Sequence, residues 1–143
     1  MLKLIINLFN CIVFFWLLQG CSSGDSAAST PTGKYEFVMF DSLNTMLLDG
    51  TLAIKHTDTV YTSEIIINQK YSDFYSFGNM KSGRIYTHYN KDAQIIFLNM
   101  NPSSMDDNIF ITLTPSGNKL IGTWTHSTIA GEMGRGKFTA QKK

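Results

Sequence analysis

The sequence predicts an all-β domain, a closed antiparallel up-and-down barrel of eight or nine strands. From Gly33 onward no stretch keeps a helical period, whereas runs rich in β-branched and aromatic residues recur about every dozen residues. Groups of Gly, Asn, Asp and Ser separate these runs, and they supply the backbone conformations that hairpin turns require. Short connections favour antiparallel neighbours, and closure of the sheet removes its two exposed edges.

Nine segments fit this pattern and are the predicted strands: 34–40, 51–56, 60–68, 73–78, 84–89, 94–100, 108–114, 119–128 and 136–140. Because side chains alternate across a strand, each segment also predicts an inner face. The apolar residues expected inside the barrel are Leu52, Ile54, Ile109, Ile111, Leu113 and Trp124. The runs 65–67 and 95–98 are apolar on both faces, so we expect them to be covered outside or to form a contact surface.

The composition indicates one globular domain and excludes two other classes. Of the 143 residues, 43% are hydrophobic and 13% aromatic, and globular domains typically have about 100–150 residues. A disordered chain would have few aromatic residues and a strong net charge. A formal charge of +1 offers no basic surface for phosphates, so we expect no nucleic-acid partner. The two cysteines exclude a disulfide framework.

The first 21 residues resemble the signal peptide of a bacterial lipoprotein. One lysine precedes the apolar run 4–18, which is shorter than the roughly 20 residues of a membrane span but fits a secretory signal. The sequence Leu18-Gln19-Gly20-Cys21 then resembles a lipobox, in which the cysteine thiol is the nucleophile that takes up diacylglycerol. The alternative is an uncleaved anchor with an incidental cysteine.

The lipobox resemblance, together with the strand pattern, divides the chain into three parts and implies a cellular location. Residues 1–20 would be the signal peptide, 21–32 the lipidated Cys21 and a flexible linker, and 33–143 the barrel domain. The linker is small and polar, and its residues 22–32 would reach roughly 35 Å when extended. Acyl chains such as palmitate on Cys21 would hold the protein at the membrane. The serine at position 22, directly after the cysteine, resembles the residue found there in lipoproteins that are sorted to the outer membrane of the cell envelope.

The barrel domain resembles the small lipocalin-like, calycin-type lipoproteins of bacteria. Gly33-Lys34-Tyr35 is similar to the Gly-x-Trp start of lipocalins, and Gly122-Thr123-Trp124 with the segment 134–138 is similar to their last hairpin. Lipocalins place a basic residue over the aromatic ring of the first strand, and Arg135 and Lys137 are the candidates here. The resemblance implies a non-enzymatic protein that binds a small apolar or amphipathic ligand.

The candidate ligand-binding residues follow from the predicted inner faces and from one long connection. They are Tyr35, Phe37, Trp124, His126, Leu43, Met46 and Leu47. His126 shares the face of Trp124 near a barrel end, where it is either a buried, hydrogen-bonded side chain or a ligand contact. The segment 41–49 is longer than a hairpin turn requires, so we expect an irregular plug or a lid. Inward-facing Gly122, Ser63 and Thr87 would leave space for a narrow pocket.

The remaining polar residues and the glycine-rich segment give no indication of a catalytic residue, a metal site or a cofactor. The three histidines lie far apart without the local pairing that is typical of zinc ligands. Asp106 and Asp107 are expected to point apart in a solvated loop rather than bind calcium, and Glu64 is expected to point outward. The glycine-rich segment 131–136 precedes a strand, which favours a hairpin bend over a phosphate loop.

Two functions therefore remain. The first is a membrane-anchored envelope lipoprotein that binds a small apolar or amphipathic ligand inside the barrel. The alternative is a protein-binding envelope module, an assembly factor or an enzyme inhibitor, that uses outward apolar strands and the loop 101–108. A cavity of roughly 300 Å³ or more would favour the first function. A filled barrel with exposed apolar surface would favour the second.

Overall fold

The described part of the chain is an eight-stranded closed barrel. The computed structural model describes residues 30–72, 80–104 and 106–143. Their strands are β1 (Gly33–Asp41), β2 (Met46–Thr57), β3 (Val60–Lys70), β4 (Gly83–Asn90), β5 (Ile95–Asn99), β6 (Asn108–Ser116), β7 (Lys119–Thr128) and β8 (Gly131–Lys142). Each strand is antiparallel to the next, and β8 pairs with β1. The predicted all-β up-and-down barrel is confirmed, and it is compatible with a lipocalin-like fold.

Some predicted segments lie outside the described residues. These are the signal peptide 1–20, Cys21 with most of the linker, and the predicted strand 73–78. Within the ranges that are described, no helix is long and apolar enough to cross a membrane.

The connections alternate between two ends of the barrel. The tight end carries the short turns 58–59, 91–94 and 117–118, together with the start of β1. Left-handed backbone at Asp58, Gln94 and Gly117, with φ of 57°, 53° and 60°, closes these turns. The loop end carries the turns 42–45 and 129–130 and the longer connections 71–82 and 100–107.

The predicted irregular segment 41–49 is wrong, because β1 and β2 form a hairpin. The Asp41 Oδ1 atom accepts hydrogen bonds from the backbone N–H groups of Leu43 at 2.8 Å and Thr45 at 2.7 Å, so the turn is short. β2 already begins at Met46, and Leu47 is an extra residue in the β1–β2 ladder. This bulge buries Leu47 and Leu48 together, which removes the alternation that would have identified a strand.

The barrel interior is filled with apolar side chains. The six residues that were predicted to point inward are all buried: Leu52, Ile54, Ile109, Ile111, Leu113 and Trp124. Phe37 and Phe138 stack with ring centroids 4.9 Å apart across the β1–β8 pairing. Most of these side chains have no surface that a water molecule could touch. A void large enough for water beside them would have exposed such surface. The described interior is therefore close-packed.

Two glycines let backbones and rings approach closely inside the barrel. A Cβ atom on Gly136 would overlap the Phe40 carbonyl and lie 2.7 Å from Trp124 Nε1. Glycine at this position therefore leaves room for the indole N–H of Trp124 to donate to the Phe40 carbonyl at 2.8 Å. A Cβ atom on Gly122 would overlap the Thr112 carbonyl. The expectation that Gly122 leaves space for a ligand is wrong, because β6 occupies that space.

Replacing Trp124 with alanine should lower the free energy of unfolding by about 3–5 kcal/mol, because the change removes a fully buried ring and leaves a cavity. Urea unfolding followed by far-UV circular dichroism measures this loss. Thr139→Ala on the outer face of β8 is the control and should cost less than about 1 kcal/mol. A loss below about 1 kcal/mol for Trp124→Ala would contradict the inward orientation of the ring.

Candidate functional site

The predicted ligand-binding residues do not surround an open space. Tyr35, Phe37 and Trp124 point inward as predicted, but each is buried among other side chains of the filled interior. Leu43 lies in the β1–β2 turn with 83% of its surface exposed, and neighbouring Met46 is partly exposed. A ligand contact by any of these residues stays a prediction.

At the tight end Tyr35 is buried and a lysine lies over its ring. The Tyr35 hydroxyl donates to the Pro31 carbonyl at 3.0 Å, and burial raises the pKa of this hydroxyl above its ordinary value. The Nζ atom of Lys142 lies 6.0 Å from the Tyr35 ring centroid, within reach of a cation–π contact. The candidates Arg135 and Lys137 were wrong, because β8 extends to Lys142 before it reaches the level of Tyr35.

A histidine–carboxylate pair lies at the loop end. His126 is 3% exposed, and its Nε2 atom lies 2.7 Å from Asp107 Oδ1. The alternative of a buried, hydrogen-bonded His126 is thus confirmed. Asp107 is only partly exposed, so the expected solvated loop is wrong for this residue. Asp106 points elsewhere and accepts a hydrogen bond from the Ile129 N–H at 2.6 Å, so the expected divergence of the two carboxylates is confirmed.

Hydrogen bonds within the β5–β6 connection hold Asp107 in place. Ser104 Oγ accepts from the backbone N–H groups of Asp106 at 3.3 Å and Asp107 at 3.0 Å. Asn101 Nδ2 donates to the Asp107 carbonyl at 2.8 Å, and Asn108 Nδ2 donates to the Ser104 carbonyl at 2.9 Å. The described part of this loop therefore has a defined shape and provides one wall of the opening described next.

Two adjoining openings form a groove that runs from β3 and the outer wall at β4 to the β5–β6 connection. The apolar half has a volume of about 390 Å³ and is lined by Val60, Tyr61, Thr62, Arg84, Ile85, Tyr86, Thr87 and Pro102. The polar half has a volume of about 650 Å³ and is lined by residues 81–84, 100–104 and Asp107. Arg84 and Pro102 line both openings. We therefore treat the two openings as one feature and call it the seam groove.

The apolar half of the seam groove lies where the ladder between β3 and β4 ends. Among the described residues only three pairs join these strands, from Ser63–Ile85 to Ile65–Gly83. The segments 60–62 of β3 and 86–90 of β4 have no partner across the seam. Beyond the ladder the two strands are in contact through aromatic side chains, since the rings of Tyr61 and Tyr89 meet edge to face at 5.2 Å. His56 adds a stacked ring at 4.3 Å from Tyr61.

The charges of the groove are asymmetric. Lys81 and Arg84 both line the polar half, and neither makes a hydrogen bond or ion pair within the described part of the chain. Glu64 lies opposite Arg84 across the ladder but forms no ion pair with it. Asp107 is engaged with His126. Two unpaired cations therefore face solvent at this end of the groove.

The remaining candidate side chains lie at the surface. Glu64 is exposed on the outer face of β3, as predicted. His56 and His88 are exposed on β2 and β4, far from buried His126. In the described ranges no three His, Cys, Asp or Glu side chains are grouped to hold a metal ion.

Comparison of the chain with known protein families, with curated proteins and with solved structures found no match. The fold and the site geometry therefore define its class, a closed eight-stranded antiparallel β-barrel protein with a filled interior and an open groove on its outer wall.

Replacing Asp107 with alanine should lower the free energy of unfolding by about 1–3 kcal/mol, because it removes the partner of a buried imidazole. Chemical unfolding of the variant measures the effect. Asp92→Ala in the exposed β4–β5 turn is the matched control and should change stability by less than about 0.5 kcal/mol. Equal effects of the two substitutions would show that the His126–Asp107 contact contributes nothing.

Proposed function

We propose that this protein is a lipid-anchored, protein-binding module of the bacterial cell envelope, with the seam groove as its binding surface. The observation that carries the proposal is the contrast between the inside and the outside of the barrel. Trp124, expected on the wall of a ligand pocket, is 1% exposed, whereas Tyr86 on the outer wall is 54% exposed. Apolar surface that is available for binding is thus on the outside.

A ligand inside the barrel is the less favoured function. Small-molecule pockets typically have volumes of about 300–1,000 Å³, and the inward side chains of the described barrel leave no such space among themselves. Binding of a fatty acid or similar amphiphile in the interior would require these side chains to move apart. Core side chains are close-packed, so such movement costs free energy.

The composition of the groove supports a protein partner. Tyr86 and Arg84 are neighbours along β4, and tyrosine and arginine are enriched among the residues that dominate binding energy at protein interfaces. Val60, 59% exposed, extends the apolar half, and the hydrogen-bonded loop around Ser104 keeps the polar half in shape. A surface of defined shape loses little conformational entropy when a partner binds.

The lipid anchor is proposed from the sequence. Leu18 to Cys21 resemble a lipobox, and the linker that follows reaches the barrel at the start of β1, which lies at the tight end. The loop end with the polar half of the groove lies at the other end of the barrel. A linker of up to roughly 35 Å would let the groove meet a partner away from the lipid head groups.

Replacing Cys21 with serine should move the protein from the membrane to the soluble fraction. The reason is that a serine hydroxyl does not replace the cysteine thiol as the nucleophile that takes up diacylglycerol. Fractionation of cells that produce the variant tests this. Cys11→Ser, inside the predicted signal peptide, is the matched control and should stay with the membrane. Membrane attachment of the Cys21 variant would instead indicate that the apolar run 4–18 is an uncleaved anchor.

A photo-crosslinking amino acid at position 86 should form an adduct of defined mass with one partner protein in cells. The matched control is the same amino acid at position 139, exposed on β8, which lies on the opposite wall of the barrel. We expect no such adduct there. Mass spectrometry identifies the adduct, and the absence of any adduct specific to position 86 would overturn the proposed protein-binding function.

A further inference from the structure

We propose that the tight end of the barrel binds the anionic head groups of the membrane that holds the lipid anchor, so that the loop end points away from that membrane. The proposal rests on the lipid anchor of the proposed function and adds an orientation and a lipid chemistry to it. It follows from the positions of five lysines, from the carboxylates beside them and from the place where the linker joins the barrel.

The five lysines are exposed and lie on four neighbouring strands at the tight end. β7 begins with Lys119, β8 ends with Lys142 just before Lys143, and β1 and β2 add Lys34 and Lys55. These positions are adjacent because the strand order of the closed barrel is β7-β8-β1-β2. The backbone N–H of Lys143 donates to the Lys34 carbonyl at 2.9 Å, which joins β8 to β1 at this place. We call these five lysines the basic rim.

The basic rim keeps most of its positive charge. Among the described residues only Lys143 of the rim forms an ion pair, with Glu36 at 2.7 Å. Two further carboxylates lie near the rim, Glu64 on β3 and Asp58 in the β2–β3 turn, and neither forms an ion pair with it. The adjacent opposite charges within the turn 91–94 offset each other. Five ammonium groups beside three carboxylates therefore leave the tight end positive.

The loop half of the barrel is balanced instead. Its described residues include five cations and five carboxylates: Lys70, Lys81, Arg84, Arg135 and Lys137 against Asp41, Asp49, Asp106, Asp107 and Glu132. The formal charge of the whole chain is only +1, so its net charge gives little attraction to an anionic surface. The uneven distribution of charge does, and it favours contact through the tight end.

The linker joins the barrel inside the basic rim. Gly33 begins β1 next to Lys34, and a Cβ atom on Gly33 would lie 2.6 Å from the Cε atom of Lys142. The Tyr35 hydroxyl donates to the Pro31 carbonyl at 3.0 Å, which keeps the last linker residues at this end. An acyl chain together with a basic patch holds a protein at an anionic membrane more firmly than one acyl chain alone. The rim lies where such a patch would act with the anchor.

The residue type of the rim fits a lipid surface. All five cations are lysines, whose ammonium groups stand on flexible stems and can follow phosphates in varying positions. Lys34 and Lys55 line one opening of about 420 Å³ on the outer wall, so two of these groups act on the same area of head groups. A protein carboxylate held in a fixed geometry is matched better by the planar guanidinium of arginine.

Energy transfer from a dye on the barrel to labelled lipid head groups tests the orientation. The dye is attached to a cysteine introduced at Ser116, in the tight end, or at Ala130, in the loop end, of full-length protein purified from membranes. Under the proposed function Cys21 carries lipid and Cys11 leaves with the signal peptide, so the introduced thiol is free. The two sites flank the ten residues of β7, which span roughly 30 Å.

The vesicles consist of phosphatidylcholine alone or with about 30% phosphatidylglycerol, which gives them a negative surface. In the anionic vesicles we expect at least about threefold more transfer from position 116 than from position 130. This ratio should fall by at least about half in the neutral vesicles and at 1 M salt, where charges are screened beyond about 3 Å. An unchanged ratio would show that the linker alone orients the barrel. That result would overturn the proposal, as would greater transfer from position 130 in the anionic vesicles.

Charge reversal within the rim tests the lysines themselves. Lys34→Glu combined with Lys119→Glu should lower the transfer ratio in anionic vesicles by at least about twofold. Arg135→Glu combined with Lys137→Glu makes the same change of net charge on the loop half of β8, and this matched control should leave the ratio within about 20%. Equal effects of the two double variants would overturn the proposal. If circular dichroism shows that a variant has lost its β structure, the salt series on the unmodified barrel decides.

The outcome is separable from the tests of the proposed function. If both labelled positions give equal transfer while position 86 still crosslinks to one protein, the orientation fails and the protein-binding function stands. If position 86 gives no specific adduct, the protein-binding function fails whatever the transfer ratio. Membrane attachment of the Cys21 variant would contradict the lipid anchor by that measurement alone.

Discussion

The structure depends on closure of the sheet between its first and last strands. Phe37 on β1 stacks on Phe138 of β8, and Trp124 on β7 donates a hydrogen bond past Gly136 to the carbonyl of Phe40. These contacts join three strands at the one place where residues from the two ends of the described chain must meet. Because closure removes the sheet edges there, β1 and β8 each obtain neighbours on both sides.

Closure with large side chains inside also determines where binding can take place. An eight-stranded barrel is just wide enough for its own side chains or for one ligand, and aromatic and aliphatic residues occupy this one. The available surface is consequently the outer wall, where the apolar half of the seam groove lies at the end of the β3–β4 ladder. His126 links core and groove, since its buried ring binds Asp107 on the wall of the polar half.

The errors of the sequence-based prediction have identifiable physical causes. The inward residues of β2 and β6 were predicted correctly, because alternation along a strand is a local property. The start of β2 was missed, because the bulge at Leu47 places two consecutive leucines in the core. Asp107 was predicted to lie in solvent. The β6–β7 turn at Gly117 sets a register in which Ile109 pairs with His126, and this register brings Asp107 close to His126. Counting residues outward from that turn would have suggested the contact.

The sequence by itself determined where most of the described strands lie, most of their turns and the inward faces of β2 and β6, since neighbouring residues along the chain carry that information. Only the tertiary structure decided that Lys142 covers Tyr35, that the β3–β4 ladder ends at Ser63 and Ile85, and that the interior is full. These features depend on registers between distant strands and on the summed volume of side chains from every strand. Neither quantity is a property of any local segment.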